Sequence, residues 1–116
     1  MQSHEDLLVW QKAVKVSIAV YKLTEKFPPR EMYGLSSQLR RAAVSIPSNI
    51  AEGRRRSTSA DFAHFLHMAY GSLAEIETQL LISRELRYIL PEEYEDMRVS
   101  IVEIGKMLHG MIKKLR

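Results

Sequence analysis

The chain of 116 residues contains no cysteine. That absence excludes disulfide frameworks, thiolate zinc sites, iron–sulfur clusters and a cysteine nucleophile, and it fits a reducing compartment. No stretch approaches the ~20 consecutive apolar residues of a membrane span. The start, Met1-Gln2-Ser3-His4-Glu5-Asp6, is polar and acidic and lacks the basic opening of a signal peptide. A cytoplasmic protein with no membrane segment is the expectation. Also missing are a glycine-rich phosphate loop, a nucleophile elbow and an HExxH pair, so the common enzyme signatures are absent. Aromatic residues make up only 8% of the chain, which leaves few rings free to stack on bases.

What is present is a globular balance of 46% apolar and 27% charged residues, in a length that suits one domain. The net charge of +3 is unevenly spread. Residues 30–58 hold six arginines against two glutamates, a local excess of +4, while the remainder of the chain is close to neutral. Every basic group in that quarter is arginine, and such a concentration points to a partner rather than to solubility alone.

Five glycines and four prolines punctuate four long segments with helical periodicity. The first runs from about Leu7 to Phe27, with Asp6 placed as N-cap and a seam of Val9, Ala13, Val16, Val20, Leu23 and Phe27. Leu7, Trp10, Val14 and Tyr21 form a second stripe, so this helix needs cover on more than one side. The second segment, Glu31 to Gly53, aligns Leu35, Leu39, Ala42, Ile46 and Ile50. Pro47 lies inside it and predicts a kink, or two short helices in line with Pro47 opening the second, while Gly53 reads as a stop. The third segment begins at Thr58 or Ser59, with Asp61 at capping-box spacing from Thr58, and runs to about Tyr88. Pro91 opens the fourth, whose seam of Tyr94, Met97, Ile101, Ile104, Leu108, Met111 and Leu115 repeats at heptad spacing. Lys113, Lys114 and Arg116 follow at its negative end. The pattern predicts an all-α, antiparallel up-down four-helix bundle of one domain spanning residues 1–116, with helix two kinked near Pro47.

A bundle of this kind can hold a di-metal site, which needs Glu-x-x-His on each of two helices and further carboxylates on the others. Asp61-x-x-His64 has no counterpart, and His64 with His67 supplies only part of a ligand set. No metal, no cofactor and no catalytic residue are expected.

Helix two carries the least ordinary pattern. Gln38, Arg41, Ser45, Asn49 and Glu52 form a polar stripe at spacings of three and four. Such a stripe is either a hydrogen-bond network between helices or subunits, or a groove lined by donors and acceptors; we assign it to a structural or interface network. Arg41 needs a carboxylate, and Glu52 lies ~16 Å along the same helix. Glu75 or Glu77 on helix three, or another subunit, suits it better. The second candidate is the arginine set. Arg54, Arg55 and Arg56 cluster after helix two, with Arg30 and Arg40 toward its start. Guanidinium forks match phosphate geometry, and the nearby N-terminus of helix three adds backbone donors.

The stretch from Tyr33 to Gly53, YGLSSQLRRAAVSIPSNIAEG, resembles the hallmark segment of bacterial four-helix bundle proteins encoded by intervening sequences within large-subunit ribosomal RNA genes. Leu7, Val9-Trp10-Gln11-Lys12, Phe27-Pro28, Phe65-Leu66 and Gly71-Ser72-Leu73-Ala74-Glu75 look like further landmarks of that family. The resemblance implies a homo-oligomer, a ring of five bundles, and kinship with the accessory variability determinant proteins of diversity-generating retroelements. Those are basic pentamers that engage a reverse transcriptase and nucleic acid. It carries over no catalytic residue.

These observations together lead to the expectation of a non-enzymatic, pentameric scaffold binding structured RNA or DNA through Arg30, Arg40, Arg54, Arg55 and Arg56. Base readout is expected to be weak beside backbone contact. The alternative is an oligomeric adaptor that docks a protein, such as a reverse transcriptase, without touching nucleic acid.

Overall fold

Each of the four periodic segments folds as one helix. A computed structural model describes residues 3–115, with α1 at Leu8–Thr24, α2 at Leu35–Arg54, α3 at Ser59–Glu85 and α4 at Pro91–Lys114. No strand occurs among the described residues. Met1, Gln2 and Arg116 lie outside them. Short 3-10 turns, His4–Asp6 and Pro29–Glu31, precede α1 and α2. Consecutive helices pack side by side and α1 closes on α4, while the diagonal pairs make no close backbone approach. Brief connections therefore give an antiparallel up-down four-helix bundle, 43 × 23 × 20 Å in extent.

The apolar seams meet in one cluster. Val9, Ala13, Val16 and Val20 of α1 face Leu39, Ala42, Ala43, Ile46 and Ile50 of α2, joined by Leu66, Ala69, Leu73, Ile76 and Leu80 of α3. On α4 the buried positions are Met97, Ile101, Ile104, Leu108 and Ile112, so the seam shifts from the expected Met111 to Ile112. A straight helix of 3.6 residues per turn drifts off a strict heptad, and one extra residue restores the facing. Complete burial of a side chain such as Ile46 contributes about 1.5–3 kcal/mol.

Several boundaries differ from the sequence expectation. α1 starts at Leu8 because Asp6 belongs to the preceding 3-10 turn, which the Gln11 amide holds by donating to the Glu5 carbonyl (2.9 Å). It ends at Thr24 rather than Phe27, where the Thr24 hydroxyl turns back onto the Val20 carbonyl at 2.8 Å. α2 starts at Leu35 rather than Glu31, since Pro29 opens a separate turn. α3 stops at Glu85 instead of Tyr88. There Tyr88 N–H donates to the Ser83 carbonyl and Arg87 N–H to that of Arg84, each at 2.9 Å. This is a Schellman closure with Arg87 at φ 64°, a position glycine usually fills, so the sequence carries no sign of it. The Thr58 cap is observed, its hydroxyl accepting from Asp61 N–H at 3.1 Å.

Pro47 does not divide helix two. α2 runs unbroken from Leu35 to Arg54 with the proline inside it and buried, and Pro47 opens no second helix. A proline at 47 removes the N–H that the Ala43 carbonyl would have accepted. The buried Ser17 hydroxyl on α1 lies 2.9 Å from that carbonyl and 3.0 Å from its own Ala13 carbonyl. A neighbouring helix thus meets the oxygen that the proline leaves free. Ala13 and Ala43, both fully buried, permit this approach.

Gly53 is not a stop either. The helix passes through it to Arg54, and the glycine is buried against α3. A Cβ there would fall 2.7 Å from the Phe65 Cβ and 3.0 Å from the Phe62 ring. The residue is needed for close helix approach.

Two stability measurements follow from these contacts. Ser17→Ala leaves the Ala43 carbonyl buried without a donor and is expected to cost about 1–3 kcal/mol in chemical denaturation. Combined with Pro47→Ala, which restores the helical N–H, that cost shrinks; a coupling of zero in the double-mutant cycle refutes the pairing. Gly53→Ala should improve helix propensity by about 1 kcal/mol yet lower net stability, because overpacking costs about 1–3 kcal/mol. A raised melting temperature for Gly53→Ala would show that α3 yields freely.

Candidate nucleic-acid interface and polar groove

The five arginines expected at phosphates occupy different places. Arg54, Arg55 and Arg56 stand where α2 gives way to α3. The Arg54 guanidinium lies 5.9 Å from the Phe62 ring centre, with its Nε buried and without a hydrogen-bond partner. Arg56 covers the Phe65 ring at 4.7 Å and pairs with Glu52 at 2.6 Å. Arg55 is exposed, and no side-chain partner is seen for it among the described residues. Bundle topology brings the C-terminus of α4 to the same pole, adding Lys113 and Lys114 to this basic end. Sequence reading placed those lysines only against the helix dipole; antiparallel pairing of α3 and α4 is the signal that unites them with the arginines.

Arg40 and Arg30 lie away from that pole. Fourteen residues separate Arg40 from Arg54, about 21 Å of helix. Arg40 is half-buried, donating from Nε to the Thr24 hydroxyl at 2.8 Å and lying 4.9 Å from the Tyr21 ring centre. It ties α2 to α1. Arg30 sits at the opposite end, where its guanidinium meets the Tyr88 hydroxyl at 3.4 Å.

That opposite end is organised by Glu31. Its Oε1 accepts from Leu35 N–H at 3.0 Å, capping α2, and its Oε2 accepts from the Tyr88 hydroxyl at 2.8 Å. The Tyr88 ring lies against Phe27, with centres 5.2 Å apart. The Leu35 N–H, then Tyr88 and Arg30, hold the Glu31 carboxyl below its ordinary pKa. Glu93 is similar: its carboxylate accepts from Leu90 N–H at 2.8 Å and pairs with Lys26, and both contacts lower its pKa.

The polar stripe of helix two splits. Gln38, Arg41 and Ser45 line one groove between α2 and α3, about 480 Å³, together with Tyr33 and Ser37. α3 contributes Ser72, Glu75 and Gln79. The Ser45 hydroxyl donates to that of Ser72 across the seam. Arg41 and Glu75, expected as partners, share the groove, yet no ion pair joins them among the described residues. Gln79 keeps a buried Oε1 with no donor. Asn49 donates to the Ser45 carbonyl at 2.8 Å within its own helix, and Glu52 turns to Arg56, so neither lines the groove. Sequence reading missed Gln79 and Ser72, although Ser72, Glu75 and Gln79 recur at helical spacing opposite the α2 stripe.

A second groove, about 450 Å³, runs between α1 and α2 and is largely apolar, with Val14, Ile18, Tyr21, Val44 and Pro47 along it. Ile18, Tyr21 and Val44 remain 40–51% exposed, so the expected second stripe of helix one is only partly covered within a single chain.

With fold and sites in place, comparison with known proteins decides the family. The model for the 23S rRNA-intervening sequence protein matches residues 5–110. The chain belongs to that family. A solved structure from Bacteroides thetaiotaomicron, described as a protein of unknown function from the S23 ribosomal protein family, superposes with a TM-score of 0.83. The two are 28% identical over 91% of this chain and 99% of the other. No curated protein matches. Among the described residues, no group of three or more potential metal ligands comes together, and no helix is long and apolar enough to cross a membrane.

The lowered Glu31 and Glu93 pKa values predict how stability responds to acid. Folding favours the ionised carboxylates, so their contribution is complete above the ordinary value of 4.5 and is lost as pH falls through the folded value. Glu31→Gln should melt below wild type at pH 7, with the gap closing in more acidic buffer. A gap independent of pH would contradict the cap's dependence on an ionised Glu31.

Proposed function

We propose that this family member is a non-enzymatic, homo-oligomeric scaffold whose arginine-rich pole binds the phosphate backbone of structured RNA or DNA. The observation that carries the reading is the meeting of Arg54, Arg55 and Arg56 with Lys113 and Lys114 at one end of the bundle. Arg55 is fully available to a phosphate, and Arg56 is held by an exposed ion pair that costs little to exchange. Arg54 supports the loop from beneath through Phe62. Arg40, half-buried on the Thr24 hydroxyl, ties α2 to α1, and Arg30 stands beside Tyr88 at the opposite end of the bundle, so we leave both out of the phosphate set at this pole.

Self-association has its own support in the exposed apolar groove between α1 and α2, where Ile18, Tyr21 and Val44 offer continuous surface to another copy. A ring of five such chains, each +3, would carry about +15 and focus a positive field on a polyanion. The alternative is an adaptor that presents the same ring to a protein partner, such as a reverse transcriptase, and does not contact nucleic acid. Absence of the common catalytic constellations in the sequence supports a binding role over an enzymatic one.

The test measures protein mass in solution and binding to structured RNA across salt concentrations. A multimeric mass is expected, as is affinity that falls steeply with salt. Arg55→Ala with Arg56→Ala should weaken binding and flatten the salt slope by about two contacts, while circular dichroism confirms the fold. A protein free of nucleic acid on purification, with no binding at low salt, would favour the adaptor.

A further inference from the structure

The groove between α2 and α3 holds more recognition chemistry than packing requires. Its walls present an exposed guanidinium, Arg41, and an exposed carboxylate, Glu75, neither engaged by an ion pair. Between turns of the same helices lie Gln38 and Gln79, and the Gln79 Oε1 is sequestered without a donor. A buried amide oxygen in that state is costly unless something donates to it, and the terminal torsion of glutamine is soft enough to turn it toward a ligand. At the rim stands Tyr33, 92% exposed, which is unusual for a large aromatic side chain.

We propose that this groove is a pocket for an unpaired guanine base, inserted from a single-stranded loop of the bound nucleic acid. Guanine offers two adjacent N–H donors, N1–H and the exocyclic N2 amine, which suit the two oxygens of Glu75. Its other edge offers the O6 and N7 acceptors that a guanidinium binds bidentately, the role open to Arg41. The remaining amine hydrogen or a ribose hydroxyl satisfies Gln79. Tyr33 supplies the flat surface on which an unstacked base rests. Adenine turns its unprotonated N1 toward Glu75 and is rejected by lone-pair repulsion. Cytosine and uracil each lack the adjacent pair of donors. Thirteen residues separate Arg41 from Arg54, about 20 Å along α2, so a strand held at the basic pole can reach the groove within a few nucleotides.

This inference rests on the nucleic-acid reading above, and the experiment separates the two. Fluorescently labelled RNA pentamers UUGUU and UUAUU carry identical backbone charge, so phosphate contact cancels between them. The full chain should bind UUGUU about tenfold more tightly at low salt, as one bidentate base contact provides. Glu75→Gln, an exposed substitution, should erase that preference with the salt slope unchanged. Arg55→Ala with Arg56→Ala should weaken both pentamers alike and keep the preference. Equal binding of both pentamers, or a guanine preference that survives Glu75→Gln, overturns the pocket and leaves the phosphate reading standing. No binding of either pentamer or of structured RNA overturns both. As a second readout, guanosine monophosphate should shift the Gln79 side-chain amide resonance and adenosine monophosphate should not. A protein whose groove is filled by a second copy would show neither shift, and the proposal would fail.

Discussion

A proline inside a helix frees one carbonyl, and in this bundle the carbonyl is that of Ala43. Because it is buried, it must find a donor off its own helix. The Ser17 hydroxyl lies 2.9 Å away, which requires α1 and α2 to meet at one register and through small side chains. Ala13 and Ala43 provide that closeness. Much else follows from the register. Arg40 reaches the Thr24 hydroxyl about two turns beyond Ser17 along α1, and Ile18, Tyr21 and Val44 come to lie side by side on the outer surface. An apparent helix breaker is therefore the residue that locks two helices together.

The bundle was legible in the sequence because apolar periodicity is a property of each helix by itself. Val9, Ala13, Val16 and Val20 on α1, with Leu39, Ala42, Ile46 and Ile50 on α2, are buried as their spacing required. Helix ends were less legible, since they depend on groups far away in the chain. The cap on α2 comes from Glu31, itself held by Tyr88, and α3 closes with an arginine where glycine is customary. Gly53 shows the same limit. A glycine near a helix end suggests a stop, and only the position of Phe65 reveals that it serves close packing instead.

The candidate sites were legible in composition and not in arrangement. A run of Arg54, Arg55 and Arg56 is visible to any reader of the chain, whereas the arrival of Lys113 and Lys114 at the same pole depends on helix direction. Arg30 and Arg40 look equivalent to the others in sequence, yet hydroxyl partners occupy them. The polar stripe on α2 was visible as a period of three and four, but half of its groove is written on α3, more than thirty residues away for Gln38 and Glu75. Side chains that face each other across two helices have no common periodicity to betray them.

The seam between α1 and α4 is the thinnest in the bundle, and ion pairs Lys12–Glu103 and Lys26–Glu93 span it at two levels. It is also the only seam joined by no direct chain connection. Closing it brings together residues about ninety apart for Lys12 and Glu103, which costs more loop entropy than any hairpin in the molecule. Helices α2 and α3, joined by a loop of four residues and sharing the broadest contact, have the least to overcome. Loop-closure cost therefore rises from the middle of the chain outward. The central hairpin, which carries the three clustered arginines and the polar groove, is the part of the bundle that closes at the lowest entropic cost.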